Sequence, residues 1–188
     1  KSEKSENIVD TSVFDDLLFE LCGREQEAKD YLFRYIAHLF QYPEIRPDIA
    51  IVMRGTQGVG KDTLIDIIIA LMGHKKYCFR TEKMDEVFGT FNETIMDSLI
   101  LQFNETEGKD GVKNQEMIKG LITKEDIFIN VKNKTAITQT NYLRIFFISN
   151  NNCPILIPYN DRRFMVIKAT DKYYNNLPFF EKVRALMK

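Results

Sequence analysis

The chain has little of what secreted, zinc-stabilised or disulfide-linked proteins are built from. Its 188 residues include no tryptophan, three cysteines and two histidines. Cys22, Cys78 and Cys153 lie far apart without a C-x-x-C pair, and only His38 and His74 could join them as soft ligands. This usage disfavours a disulfide framework and a structural zinc site, and it favours a reducing compartment.

An excess of one charge and a long apolar run are missing as well. The 26 lysines and arginines nearly balance the 27 aspartates and glutamates, so the formal net charge is −1. Nucleic-acid contact would therefore need a local basic patch, because the whole surface supplies no attractive field. The apolar run from Leu64 to Met72 contains Asp66 and is too short to span a bilayer, and the charged start shows no signal-peptide pattern. We expect no membrane contact and a cytoplasmic or nuclear location.

What is present is the composition of one medium globular domain, with 44% hydrophobic and 28% charged residues. Apolar residues recur at helical spacing from Val13 to Tyr42, which predicts two amphipathic helices broken near Gly23. Because the chain opens on Lys1 without a methionine, we expect it to be a piece of a longer polypeptide.

A glycine-rich segment is the most informative feature. It follows the strand-like run from Ile49 to Met53 and precedes the helical run that starts at Leu64. Its residues are Gly55, Thr56, Gln57, Gly58, Val59, Gly60, Lys61, Asp62 and Thr63. Glycines let consecutive backbone N–H groups turn toward anionic oxygens, and the following helix presents its positive end to the same charge. An ordinary glycine-rich turn is the alternative, but the order of strand, loop and helix indicates a nucleoside triphosphate site with Lys61 on the outer phosphates.

Asp62 is irregular, because a Ser or Thr hydroxyl ordinarily reaches Mg²⁺ from that position. Either Thr63 takes over that role or the Asp62 carboxylate does. A second departure from the usual pattern is at Asn104. An apolar run ends at Asn104 and Glu105, where a buried parallel strand would face the ligand crevice. Glu105 is placed to polarise an attacking water, or else is a solvated loop acid. A second acid that holds the metal's water shell is expected where Asn104 stands, and we hypothesise that Asp62 compensates for it.

Two further segments carry candidate residues. The strand predicted from Tyr142 to Ser149 ends in three asparagines, of which we choose Asn150 as a group that holds water or senses the outermost phosphate. An Asn-rich turn is the alternative. Residues 126–131 and 135–140 predict a β-hairpin whose tip carries Lys132 and Lys134. These lysines suit contact with a phosphate backbone, or are simply solvated.

The joint order of these parts resembles the superfamily 3 helicases, which are viral and plasmid replication ATPases of the AAA+ class, over residues 28–168. The likeness is nearest to the helicase modules of viral, phage and plasmid primase-helicases. The stretches that carry it are 38–43, the phosphate loop, 101–105, 117–123, 144–150 and 161–164.

The resemblance implies an α/β fold of the AAA+ P-loop ATPase type, with a mostly parallel central sheet flanked by helices and a small helical segment before it. The corresponding divisions are an N-terminal tail and helical segment at 1–48, an ATPase core at 49–170 and a C-terminal helical tail at 171–188. The likeness also implies a homo-hexamer that uses ATP and Mg²⁺ to move single-stranded DNA through a ring in an intracellular viral or mobile-element replication system. It leaves room for a primase domain in the same polypeptide.

Roles for individual residues follow from the resemblance. Lys61 looks like the Walker A lysine, Glu105 like the Walker B catalytic acid and Asn150 like the sensor asparagine. One of Arg162 and Arg163 resembles the arginine finger that enters a neighbouring subunit's site, and we lean to Arg163. The hairpin tip from Lys132 to Lys134 is similar to the pore hairpin that grips DNA.

Two other functions stay open. The string Gly60-Lys61-Asp62-Thr63 also resembles the phosphate loop of some nucleoside-monophosphate kinases, although those usually carry it just after a chain-opening strand. The other function is that of a non-hydrolysing DNA-binding assembly module.

Overall fold

A parallel sheet organises the protein, for which a computed structural model describes residues 10–104, 114–150, 155 and 157–187. Within those ranges the helices are α1 Ser12–Leu21, α2 Gln26–Gln41, α3 Lys61–Met72, α4 Asp85–Phe88, α5 Gln115–Thr123 and α6 Leu177–Ala185. The strands are β1 Ala50–Arg54, β2 Cys78–Thr81, β3 Ile100–Asn104, β4 Asp126–Ile129, β5 Ile137–Thr140, β6 Arg144–Ser149 and β7 Phe164–Lys168. Short 3-10 turns lie at Lys75–Tyr77 and Glu93–Ile95.

The central sheet has the strand order β2-β3-β6-β1-β7, and each of its pairings is parallel. Parallel strands covered on both faces read as continuous apolar runs, and all six residues of β6 are buried. The predicted α/β fold with a mostly parallel sheet and a leading helical segment is confirmed. Strands β4 and β5 form a separate antiparallel hairpin.

Two cores cover the two faces of the sheet, and the alternation along β1 assigns them. Ile51 and Met53 pack with the buried residues of α1, α2 and α3. Ala50 and Val52 point to the other face, where β3, α5 and the hairpin contribute. The period of two along a strand explains this division, because successive side chains lie on opposite faces. The leading helices are thus part of the main core.

Several element boundaries differ from the sequence-based expectations. The hairpin strands are shorter than 126–131 and 135–140, because residues 130–136 form a longer loop. Helix α3 starts at Lys61 rather than Leu64, since Gly60 already adopts a left-handed conformation that ends the phosphate loop. Strand β7 was not expected at all. Helix α3 ends just before Gly73, which has a left-handed conformation with φ of +74°.

Candidate functional site

The carboxyl ends of β1, β3 and β6 lie side by side at one end of the sheet and border a cleft of about 390 Å³. In an open parallel sheet, ligands bind outside this end. Lining groups include Gln57 of the loop between β1 and α3, the first turn of α3 and two strand-end amides, Asn104 and Asn150. The residues of that turn on the cleft are Lys61, Asp62 and Thr63. The structure therefore brings together the predicted site residues that come from three separate segments.

The phosphate loop needs its glycines for both conformation and space. Gly55, Gly58 and Gly60 have φ of +149°, +84° and +102°, values that side chains rarely tolerate. A Cβ at Gly58 would lie 2.6 Å from Asn175 Oδ1, and one at Gly60 would lie 2.7 Å from a Phe180 ring carbon. The segment before α6 and α6 itself therefore pack directly against the loop.

Lys61 is held at the floor of the cleft. It is 4% exposed, and its Nζ donates to Gly55 O at 2.6 Å, to Thr56 O at 2.9 Å and to Asn150 Oδ1 at 3.0 Å. The contact with Asn150 spans 89 residues of sequence and joins the phosphate loop to the end of β6. A cation in this position, at the first turn of α3, adds to the positive end of the helix dipole.

Asp62 and Asn104 are linked by a third residue. Gln102 Nε2 donates to Asp62 Oδ1 at 2.7 Å and to Asn104 Oδ1 at 2.5 Å. Thr63 is half-buried in the same cleft. The two irregular positions of the sequence thus share one neighbourhood. Glu105, the predicted catalytic acid and metal ligand, lies outside the described residues.

The donor set suits a magnesium ion shared with phosphates better than a closed metal site. Within residues 10–104, 114–150, 155 and 157–187, no group of three or more His, Cys, Asp or Glu side chains is placed to hold a metal. Asp62, Thr63 and Asn104 instead offer carboxylate, hydroxyl and amide oxygens on one cleft. Mg²⁺ typically takes one or two protein ligands, keeps several waters and binds the substrate's phosphates.

Arg162 and Arg163 lie at the other end of the sheet. Arg163 O accepts from Ala50 N at the start of β1, whereas the phosphate loop follows the end of that strand. Five residues of β1 separate the two ends by roughly 16 Å at 3.3 Å per residue. These arginines line a different cleft of about 750 Å³, together with Lys119 and Asp161. The structure does not bring them to the phosphate loop of their own chain.

The two arginines have different surroundings. Arg163 Nε and Nη2 donate to the two carboxylate oxygens of Asp161, each at 2.8 Å, and its backbone N donates to Oδ1 at 3.1 Å. The hydrogen bond to Asp161 raises the pKa of Arg163, and the same bond lowers the pKa of Asp161. Arg162 is exposed and has no side-chain hydrogen bond or ion pair with any described residue.

The hairpin loop carries Lys132 and Lys134, both exposed as predicted. The backbone N of Lys132 donates to Glu93 Oε2 at 3.1 Å. Asn92 Nδ2 donates to Phe128 O at 3.0 Å, and Asn92 Oδ1 accepts from Asn130 N at 2.7 Å. The segment before β3 thus fixes the base of the loop and leaves both ammonium groups in solvent.

Two parts of the site were missed in the sequence. Gln102 was included in an apolar strand, and its polarity among Leu101 and Phe103 was the signal that could have identified it. The contact of Asn175 and Phe180 with the phosphate loop carries no local sequence signal, because more than a hundred residues separate the partners.

The parallel sheet and its flanking helices define the protein as an α/β chain, and solved structures share this fold. It aligns with the apo structure of the NrS-1 C-terminal region at a TM-score of 0.80 and 23% identity, over 94% of this chain and 43% of that one. It aligns with JCV helicase at a TM-score of 0.56 and 14% identity, over 97% of this chain and 52% of that one. These likenesses confirm the predicted resemblance to a viral helicase domain at the level of the fold.

Residues 53–163 match DUF5906, a family of unknown function, and the chain belongs to that family. A curated relative, the DNA primase-polymerase of Nitratiruptor phage NrS-1, is 28% identical over 161 residues. That alignment covers 83% of this chain and 22% of the relative, so the chain spans less than a quarter of that protein's length. Among the described residues, no helix is long and apolar enough to cross a membrane.

Proposed function

We propose that the chain is the ATPase core of a DNA helicase or translocase from a viral or mobile-element replication system. It would hydrolyse ATP between the subunits of a homo-hexameric ring and move single-stranded DNA through it, with room for a primase domain in the same polypeptide. The observation that carries this proposal is the convergence of Lys61, Asp62, Asn104 and Asn150 on one cleft beside a glycine-rich loop. The relative that is 28% identical, a phage DNA primase-polymerase, supports the replication context.

The triphosphate would lie along the phosphate loop and the start of α3. Lys61 Nζ now contacts two neutral carbonyl oxygens, those of Gly55 and Thr56. A phosphate oxygen is a charged acceptor and makes a stronger bond, so ATP would draw Lys61 away from these carbonyls. Asn150 would then be released to hydrogen-bond the outermost phosphate or the attacking water.

Hydrolysis would use the groups at the ends of β1 and β3. Asp62, Thr63 and Asn104 would hold Mg²⁺, to which they offer carboxylate, hydroxyl and amide oxygens. When bound, Mg²⁺ supplies positive charge to the β- and γ-phosphates. Glu105 follows β3 directly and would accept the proton of the attacking water.

An arginine would have to come from a neighbouring subunit. Arg162 and Arg163 lie a strand's length from the phosphate loop of their own chain, at the amino end of the sheet. Asp161 already binds Arg163 through two parallel hydrogen bonds, whereas Arg162 projects into solvent. We therefore assign the finger to Arg162 instead of Arg163, which the sequence had favoured, and give Arg163 the role of shaping the turn that presents it. A ring provides such a neighbour at every interface.

DNA would be gripped by the hairpin loops in the centre of the ring. Lys132 and Lys134 provide two exposed charges on each chain, so six chains would surround the strand with twelve. This local density overcomes a net charge of −1 per chain, because phosphate contacts act over short distances in salt.

Measuring ATP hydrolysis with and without single-stranded DNA tests the proposal. Lys61→Ala and Glu105→Gln should abolish DNA-stimulated phosphate release, and Lys182→Ala, an exposed lysine on α6, is the matched control. Turnover that needs a nucleoside monophosphate acceptor would instead identify a kinase. DNA binding without any phosphate release would identify a non-hydrolysing assembly module.

A further inference from the structure

Gln102 is a buried amide in a strand that is otherwise apolar. It stands in the middle of β3 with 0% of its surface exposed, between Leu101 and Phe103. Its neighbours across the sheet are Arg80 on β2 and Phe146 on β6. Burying an amide costs free energy unless its polar atoms are hydrogen-bonded, so this position calls for a partner.

The partners of Gln102 are both at the proposed metal site. Its Nε2 donates one hydrogen to Asp62 Oδ1 at 2.7 Å and the other to Asn104 Oδ1 at 2.5 Å. These two acceptors define the orientation of the amide, because a flipped side chain would place Oε1 against a carboxylate oxygen. Oε1 is buried and has no hydrogen-bond partner among the described residues. The two acceptors of Nε2, on Asp62 and Asn104, therefore orient the Gln102 side chain.

This arrangement affects the two oxygen ligands differently. Asp62 has one oxygen bound to Gln102 and a second, Oδ2, that forms no hydrogen bond with a described residue. The only side-chain oxygen of Asn104 is already engaged by Gln102. A metal ion on this cleft would therefore find a free oxygen on Asp62, whereas the Asn104 oxygen already uses one of its two lone pairs.

We propose that Gln102 is a positioning residue, which fixes the Asp62 carboxylate as a protein ligand for the divalent ion of the nucleotide complex. This inference rests on the proposed function, since it needs a nucleotide and a metal in the cleft. Gln102 would act through Asp62, by orienting the carboxylate. The usual hydroxyl at position 62 would need no such support.

ATP-dependent Mn²⁺ binding, followed by electron paramagnetic resonance, tests this role apart from turnover. Gln102→Met keeps the approximate size of the side chain and removes the donor. It should weaken Mn²⁺ binding in the presence of ATP by about tenfold or more, the usual effect of losing a group that orients a metal ligand. Binding of a fluorescent ATP analogue in EDTA should stay unchanged. Gln139→Met, on the hairpin strand β5, is the matched control.

A double variant separates positioning from packing. In an Asp62→Thr background, Gln102→Met should cause no further loss of Mn²⁺ affinity, because the group it orients is gone. Additive losses, or a parallel loss of metal-free nucleotide binding, would show a merely structural role and overturn the proposal. If Gln102→Met fails to fold, Gln102→Asn decides, since it withdraws the same amide by one methylene and should also weaken Mn²⁺ binding.

The outcomes for the wild-type protein distinguish the two proposals. Wild-type protein that binds Mn²⁺ with ATP but releases no phosphate would refute the ATPase while leaving Gln102 to be judged by its variants. Equal Mn²⁺ affinity in wild type and Gln102→Met would overturn the role of Gln102 alone. Absence of ATP-dependent Mn²⁺ binding in the wild type would overturn both.

Discussion

Buried positively charged side chains have different surroundings at the two ends of the central sheet. At the carboxyl end, Lys61 is buried but borders an open cleft, and its partners are two loop carbonyls and the amide of Asn150. At the amino end of β6, Arg144 is 1% exposed and enclosed by protein. Burial thus accompanies both cations, but only one of them faces a space that a ligand could fill.

Arg144 has a structural explanation. Its Nη2 donates to Tyr42 O at 2.9 Å and Ile45 O at 2.8 Å, just beyond the last turn of α2. A cation is favourable at a helix C-terminus, where carbonyl groups lack helical partners. Burial lowers the pKa of Arg144. The guanidinium therefore joins the leading helices to the sheet.

The amino end also carries cations that project outward. Arg162 precedes β7, and the hairpin with Lys132 and Lys134 joins β6 through Asn141, whose backbone N donates to Glu125 O at 2.7 Å. The carboxyl end gathers its polar groups around one cleft, whereas the amino end presents separate charges to solvent. Under the proposed function, the carboxyl end would bind the phosphates and the amino end would present groups to external partners.

The largest expected effect is at Arg162. If it completes a neighbour's site, Arg162→Ala should reduce turnover by roughly 1,000-fold, the lower range for an arginine finger. Arg163→Ala should cost far less, because Arg163 only supports the turn through Asp161. Phosphate release at saturating ATP measures both.

Mixing experiments provide the control for Arg162. Arg162→Ala and Lys61→Ala chains should regain part of the activity when mixed, since some interfaces then combine an intact loop with an intact arginine. No recovery, or a greater loss for Arg163→Ala than for Arg162→Ala, would reverse the assignment.

Replacing each of the two buried cations by methionine should separate an effect on turnover from an effect on stability. Lys61→Met should lower turnover by roughly 100-fold or more and leave unfolding nearly unchanged. Arg144→Met removes the hydrogen bonds to the carbonyls of Tyr42 and Ile45 and leaves the Ile45 carbonyl without its partner, so the free energy of unfolding should fall on the order of 3 kcal/mol. Urea unfolding and binding of a fluorescent ATP analogue measure the two effects. Equal loss of stability in both variants would remove the distinction between the ends of the sheet.

Moving the carboxylate from position 62 to position 104 is expected to have a smaller effect. Asp62→Thr should reduce Mg²⁺-dependent turnover by about tenfold, and adding Asn104→Asp should restore much of it. The two positions are joined through Gln102, so their effects should not be additive. Turnover is compared over a magnesium titration. Full activity in Asp62→Thr alone would refute the compensation.

The sequence predicts the parts of the site that have local order. Glycine spacing between a strand and a helix identifies Lys61, and an apolar run that ends in amides identifies Asn104 and Asn150. The bond between Gln102 and Asp62 spans 40 residues, so no local pattern reveals it. The different surroundings of Arg162 and Arg163 likewise depend on where the Asp161 side chain points, which residue order does not determine.

The fold shows the same limit. Helices α1 and α2 were predicted because their apolar stripes are long and periodic. Strand β7 has five residues, as β1 and β3 do, but it was not identified in the sequence. Its place beside β1 comes from long-range pairing, with Ala50 opposite Phe164. Local pattern therefore predicts elements, whereas their neighbours in the sheet come from the packed structure.

The smallest expected effect concerns the hairpin at the amino end. If Lys132 and Lys134 contact DNA phosphates, each substitution by alanine should weaken single-strand binding several-fold and lower the slope of log affinity against log salt by about 0.7. Lys182→Ala at α6 should leave the slope unchanged, because α6 packs beside the phosphate loop at the opposite end of the sheet. Fluorescence anisotropy with oligothymidine over a range of KCl concentrations measures this. An unchanged slope in Lys132→Ala and Lys134→Ala would show that both lysines are only solvated. A lower slope in Lys182→Ala would place DNA at the end of the sheet that carries the phosphate loop, and would contradict the prediction.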